Sequence, residues 1–400
     1  MVLPQSSRRD RVTFPALKRN VFILEGLNGF AASIYFNYIF FFLREHFGFG
    51  AKGNLLFCAA NGLIYAIGAF YGGKFAQRRG YLTAMTYGLV TVIVSEIIAL
   101  FSTSVPGHVT AMILWTIGIC VTWPVLEALA CEGESSATLP RKVGIYNVVW
   151  SIAFALGLFL GGTIIDKLTW KSMFILPACI HFVEILIIRA MRPSLTKPWH
   201  ELPGAPPPVA IPAEHADGKL NKSFLRMAWL ANPFAYIAMN TVIPLIPQVA
   251  SNLQLSKAGA GFFCSIWMFA RTASFFALWK WTAWHYRFCW LIASYVLMIA
   301  TFAAILLFTD LWLLVAAQII FGFAVGLIYY SSLFYAMDAS DTKGEHGGLH
   351  EAAIGAGIFF GPSIGYTALQ FFPAAPNSSA LAVSAILTLG IGGLLFLRKR

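Results

Sequence analysis

The chain has 400 residues, of which 58% are hydrophobic and only 11% charged, and its formal net charge at pH 7 is +11. A soluble domain carries roughly 25% charged residues because its surface must face water, so much of this chain must be solvated by lipid. A disordered or collagen-like chain is excluded by the same figures, and the placement of the basic residues turns the net charge toward a membrane surface and away from nucleic acid.

Residues 1–20 are polar and basic, with Arg8, Arg9, Arg11, Lys18 and Arg19. The apolar run that follows is too long for a secretory signal, contains Glu25 and Asn28, and lacks a small-x-small cleavage site, so it is expected to stay as a first helix. A hydrocarbon core of about 30 Å needs about 20 mainly apolar residues per helix. Runs of that kind lie near 21–43, 52–72, 82–101, 111–131, 143–165 and 172–192, and again near 224–249, 260–281, 288–308, 311–336, 347–371 and 380–397. Between the two sets, Pro203-Gly204-Ala205-Pro206-Pro207-Pro208 and the polar residues around Asp217 can neither span nor pack a core. Period-two alternations are too short for a closed barrel. The predicted fold class is an all-α polytopic membrane protein with 12 transmembrane helices. Its parts are a tail over 1–20, a six-helix bundle over 21–192, an exposed cytoplasmic linker over 193–222 and a second bundle over 223–400. The six cysteines form no CxxC pair and read as small apolar packing residues.

Lysine and arginine orient this bundle. With both termini in the cytoplasm, 22 of the 28 basic residues fall inside, five fall outside (Arg44, Lys52, Lys167, Lys171 and Lys257), and Arg271 alone sits within a span. A bias of this size fixes the orientation and requires an even number of spans.

The two halves resemble each other. Gly144, Gly157 and Gly161 recur two hundred residues later as Gly344, Gly357 and Gly361. Asn37 corresponds to Asn240 at an offset of 203, and Cys58 to Cys264 at 206. Matches in the same order with a slowly drifting offset predict a duplicated six-helix unit in parallel topology, with a site expected at the interface of the halves.

On these features, and on the loop after the second span, the chain resembles the major facilitator superfamily. The family pattern there is Gly-x-Leu-Ala-Asp-Arg-x-Gly-Arg; this chain reads Gly73-Lys74-Phe75-Ala76-Gln77-Arg78-Arg79-Gly80-Tyr81. The resemblance implies a gating role for Gly73, Gln77, Arg78, Arg79 and Gly80, with Gln77 replacing the family's aspartate. It also implies secondary transport by alternating access, with proton coupling. Span eleven carries Gly357-x3-Gly361-Pro362, like the family's antiporter motif, which belongs in span five. The direction of transport is therefore open.

Polar residues within spans are costly in hydrocarbon and are expected to face the bundle interior. Glu25, Asn28 and Tyr35 on span one are spaced as one face, and Asn61 and Tyr65 on span two are four apart. Asn232, Tyr236 and Asn240 mark span seven, Trp267 and Arg271 span eight, and Gln318 and Tyr329 span ten. The expected solute-contacting set is Asn28, Tyr35, Asn61, Tyr65, Tyr236, Asn240, Trp267, Arg271, Gln318 and Tyr329. For any single Asn or Tyr, bonding to a neighbouring helix is the competing reading. Arg271, near mid-span, needs an anion: an anionic solute, or a protein carboxylate such as Glu25 or Glu127.

Glu25, Glu127 and Glu351 are the expected proton-coupling residues, because burial can move a carboxyl across working pH. Glu96 qualifies by position too, while Glu184 with His181 reads as structural. His346 and His350 lack a third ligand and the His-Glu-x-x-His pattern, so no metal site and no cofactor is expected. A P-loop is absent, so nothing suggests ATP-driven transport, and the one histidine in the middle of a span, His181, has no evident partner nucleophile, which argues against an enzyme. The reading is a secondary transporter for a small polar or anionic solute, working as a monomer among membrane lipids with protons as partner and no nucleic acid. Its expected setting is a bacterial inner membrane. Export of lipophilic compounds with proton antiport is one alternative; a receptor that binds without translocating is another.

Overall fold

The computed structural model describes residues 13–134, 138–192, 199, 202–205, 218–338 and 343–399. Those residues form twelve α-helices and no strand: α1 (Phe14–Phe47), α2 (Ala51–Arg79), α3 (Tyr81–Phe101), α4 (Val105–Cys131), α5 (Leu139–Lys167), α6 (Ser172–Met191), α7 (Gly218–Asn252), α8 (Lys257–Lys280), α9 (Phe288–Leu307), α10 (Leu311–Asp338), α11 (Lys343–Phe371) and α12 (Ser378–Arg398). Eleven of them, judged on their described residues, are long and apolar enough to cross a membrane. An even number of crossings puts both chain ends on one face of the bundle, here called the terminal face.

Local sequence sets the helix ends. Pro15 supplies a preset φ in the first turn of α1. That helix stops at Gly48, whose φ of +67° is the left-handed conformation glycine adopts most cheaply. Gly80, at φ +83°, is the single residue that turns the chain from α2 into α3. Ser256 caps α8 by accepting the Gly259 amide at 3.0 Å.

Several boundaries differ from the sequence reading. Helix α1 starts at Phe14, not 21, and takes Lys18 and Arg19 with it. Helix α7 starts at Gly218, inside the predicted linker, and α11 at Lys343. The described part of the linker is not all exposed: Leu202 is buried, and the Phe14 amide donates to the Pro203 carbonyl at 3.0 Å. Leu202, Trp199 and Ala205 pack onto a cluster that includes Phe14, Leu17 and Val21. Arg8, Arg9 and Arg11, and most of 193–222, lie outside the described residues.

The duplication is visible in the packing. The contacts of α1 with α5 and α6, α2 with α4, and α3 with α4 and α6 recur as α7 with α11 and α12, α8 with α10, and α9 with α10 and α12. Gly157 packs on Phe30 and Ser33, and Gly357 on Pro233 and Tyr236, the same partners 203 residues on. Asn37 and Asn240 each donate to the carbonyl four residues back, at 2.9 and 3.1 Å. Because lipid supplies no hydrophobic drive between helices, such small-residue contacts carry the association. The halves meet along α2 with α11 and α5 with α8. At the far face, polar contacts join them: Arg44 to Gln248 at 2.8 Å, Asn54 to the Pro244 carbonyl at 3.2 Å, Glu45 to Lys257 at 3.3 Å and Asp166 to the Ala258 amide at 3.0 Å. Near the terminal face, Leu333 of α10 packs with Leu139 and Val143 of α5.

Candidate functional site

Between the halves lies a cavity of about 120 Å³, room for several waters or one small organic molecule. Eight helices line it. Glu25 and Phe36 come from α1, Asn61 and Tyr65 from α2, and Trp115, Trp123 and Glu127 from α4. The α5 stripe is Tyr146, Trp150 and Phe154. From the second half come Tyr236 and Asn240 on α7, Trp267 and Arg271 on α8, Tyr329 on α10 and Glu351 on α11.

Arg271 forms one pole. It is 4% exposed, and its guanidinium carbon lies 4.9 Å from the Trp150 ring centre, 4.9 Å from Tyr329 and 5.3 Å from Phe275. Aromatic faces stabilise a desolvated cation and hold its plane. Among the described residues Arg271 has no ion pair, and its Nε and Nη2 have no hydrogen-bond partner. Glu25 and Glu127 share the cavity with it but do not pair with it. Tyr236 lies beside it.

Carboxyls form the other pole. Tyr65 donates to Glu351 Oε2 at 2.6 Å, a bond that crosses from one half to the other. Glu25 faces the Tyr146 hydroxyl, and Glu127 lies within electrostatic reach of both Glu25 and Glu351. At the 206 offset that relates α2 to α8, Asn61 corresponds to Trp267, and Tyr65, which holds Glu351, corresponds to Arg271.

The structure thus brings into one cavity ten of the thirteen residues expected to bind solute or protons. Asn28, Tyr35 and Gln318 stand apart. At about 100° per residue, Phe36 is turned only about 20° from Glu25, whereas Tyr35 is turned about 80° and Asn28 about 60°. Tyr35 accordingly stacks on Trp115 at 4.8 Å, and Asn28 lies beside Glu184 of α6. Gln318 shares a face with Tyr329 but sits about 16 Å along the axis, buried beyond the cavity. Of the wall built by α4 and α5, the sequence reading named only Glu127. A signal for the wall was present in Tyr146, Trp150 and Phe154, four apart in each case. Asn61 spends its amide on Thr116 at 2.8 Å, and Asn240 spends its own on Tyr236.

Of the expected gating residues, Gln77, Arg78, Arg79 and Gly80 are exposed at the end of α2, and the space around Gly73 is open. Among the described residues neither arginine forms an ion pair. A different network lies on that face: Lys18, 1% exposed, donates to the Leu129 and Ala130 carbonyls at 3.0 and 2.7 Å. Glu134 stands 3.5 Å from Lys18 and 3.6 Å from Lys142. The negative end of α4 suits this buried cation. The side chains of His346 and His350 lie outside the described residues.

The family model of the Major Facilitator Superfamily matches residues 21–231, from the start of the apolar part of α1 into α7. The chain belongs to the Major Facilitator Superfamily of membrane transporters. Over 83% of its length and 84% of the relative's, this transporter is 23% identical to the uncharacterized MFS-type transporter YceJ of Bacillus subtilis. It is also 23% identical to YcnB of the same bacterium, over 35% of this chain; that match spans only 29% of YcnB. Two solved structures share the fold. The human organic anion transporter MFSD10 gives a TM-score of 0.67 at 13% identity, covering 96% of this chain and 100% of that one. A bacterial homologue of the human lysosomal transporter Spinster, inward-facing and occupied, gives 0.68 at 12%, covering 96% and 97%. These likenesses extend over both halves, so the superfamily fold includes α7–α12, where Arg271 and Glu351 lie.

Proposed function

We propose that this transporter moves a small organic anion by alternating access, with Glu25, Glu127 and Glu351 carrying the coupled protons. The observation that carries the reading is Arg271: a permanent cation, buried and stacked, facing a cavity with no described carboxylate paired to it. A charge in that position is unfavourable until a counter-ion arrives, and a guanidinium offers a carboxylate or phosphate two parallel donors. Asn61, Asn240 and Tyr236 add polar contacts, and the aromatic walls add stacking surface. The cationic and acidic poles suit a cargo whose anion meets Arg271 while protons neutralise the carboxyls.

The basic-residue bias supports termini in the cytoplasm, and the chain's length and short loops support a bacterial inner membrane as the setting. With that orientation, the polar contacts between the halves lie at the outer end, and Leu333 packed on Leu139 and Val143 joins them toward the inner end.

A second reading is export of lipophilic cations, favoured by three cavity carboxyls and ten aromatic lining residues. A thermal-stability screen on detergent-solubilised wild type and Arg271→Ala separates the two. Sugars, carboxylates, amino acids, nucleosides and lipophilic cations are compared. Stabilisation by a carboxylate or phosphate only when Arg271 is present supports the anion reading. Stabilisation by lipophilic cations in both proteins sinks it.

A further inference from the structure

The wall formed by α1, α3 and α6 holds a second ionisable cluster that does not line the cavity. His181 Nδ1 lies 2.6 Å from Glu184 Oε2, and its Nε2 lies 3.6 Å from Glu96 Oε1. An imidazole on α6 is thus bracketed by carboxyls from α6 and α3, and all three residues are 1% exposed or less. Both oxygens of Glu96, Glu184 Oε1 and His181 Nε2 have no hydrogen-bond partner. Asn28 lies beside Glu184 with neither amide atom hydrogen-bonded, and Glu25, three residues before Asn28 on α1, lies within electrostatic reach of Glu184.

Charge bookkeeping gives this cluster its meaning. With every proton removed it would carry two negative charges at bilayer depth, which is prohibitive. It is neutral when two protons are bound, as with an imidazolium between one carboxylate and one carboxylic acid. One Glu–His pair would be enough for a structural link. The second carboxyl, on a different helix, is tolerated only by holding a proton.

We propose that Glu96, His181 and Glu184 form a proton-storage site in the first half, connected to the cavity through Asn28 and Glu25. A proton leaving the Glu184 carboxyl is taken up by the Glu25 carboxylate. Glu184 is then ionised against the His181 imidazolium, Glu25 is neutral, and the total charge is unchanged. Glu25 passes the proton to cavity water. The groups facing the cluster are Glu25 and Tyr35 from α1 and Glu96 from α3; α5 reaches it through Tyr146, which faces Glu25. The role in transport rests on the proton-coupled reading above, but proton binding itself is read without any solute.

The test is a pH titration of protein labelled with 15N-histidine in lipid nanodiscs, from about pH 5 to about pH 9. The His181 signal is assigned by its loss in His181→Gln, and the carboxylic-acid stretch is followed by infrared spectroscopy. The His181 signal is expected to change within this range. Glu25→Gln leaves the cluster intact but removes a nearby negative charge, so the midpoint is expected to move to lower pH by about half a unit or more. Glu184→Gln is expected to delete one titrating carboxyl. A His181 signal that stays fixed, or an unchanged midpoint in Glu25→Gln, overturns the proposal. If Glu184→Gln does not fold, the wild type and Glu25→Gln still decide it. Transport that keeps its pH dependence without cavity carboxyls, beside a normal His181 titration, would defeat the coupling reading and leave the storage site standing.

Discussion

The Arg271 guanidinium lies 4.9 Å from the centre of the Trp150 ring, and the two residues belong to opposite halves of the molecule. On the proposed reading, solute bound at Arg271 lies against Trp150 of the other half as well. Arg271→Ala is expected to cost about 3 kcal/mol of solute binding, roughly a hundredfold in affinity. Trp150→Leu should cost about 1 kcal/mol, roughly fivefold. Solute-induced shifts in melting temperature and uptake into proteoliposomes read both. Equal losses from the two variants would argue against a direct ionic contact at Arg271.

Glu25→Gln combined with Glu127→Gln removes two of the three cavity carboxyls and leaves Arg271 in place. Exchange of labelled solute should persist, because counterflow needs no net proton movement, while pH-driven accumulation should disappear. Accumulation that retains the wild-type pH profile would show that the coupling groups lie elsewhere.

Gly62 and Gly73 lie three turns apart on α2 in opposite circumstances. A side chain at Gly62 would run into the backbone of Ile358 and Phe359 across the boundary between halves, whereas Gly73 has open space around it. Gly62→Val should therefore lower stability by about 1–3 kcal/mol, and Gly73→Ala should be neutral or add up to about 1 kcal/mol. Thermal melts of the purified variants check this. A Gly73→Ala protein that melts normally but no longer transports would mark that loop as part of the gate.

Lys18 is held by two carbonyls at the end of α4 and by Glu134. Removing one member of a buried charge pair strands the other, so Lys18→Met should cost about 3 kcal/mol, and the double variant Lys18→Met/Glu134→Gln should cost less. A double variant that is the less stable of the two would contradict the pairing.

How much of this was legible follows from what a linear pattern can encode. Twelve spans and the duplication were, because apolar run length and glycine offsets survive in one dimension. Arg271 and the carboxyls Glu25, Glu127 and Glu351 were too, because ionisable residues at bilayer depth are rare. Choosing among neighbours on one helix was harder. Spacings of three and ten put Asn28 and Tyr35 within a broad face, but the cavity subtends a narrower arc, which Glu25 and Phe36 share. Trp150 went unread because an aromatic residue in an apolar span looks like core until a cation is placed beside it. Lys18 looked like a solvated tail residue, since nothing local shows that the carbonyls 111 and 112 residues later will fold over it.

Tyr65 and Arg271 occupy equivalent positions in a parallel repeat, whose symmetry axis runs along the membrane normal. Residues related by such an axis sit at the same depth. The backbones that carry Arg271 and Tyr65, the residue that holds Glu351, are therefore separated sideways, within the plane of the bilayer. A transmembrane voltage acts only on charge displaced along the normal, so a sideways separation of this kind gives it nothing to act on. On the proposed reading, the charges that cross the field are those of the cargo and its protons.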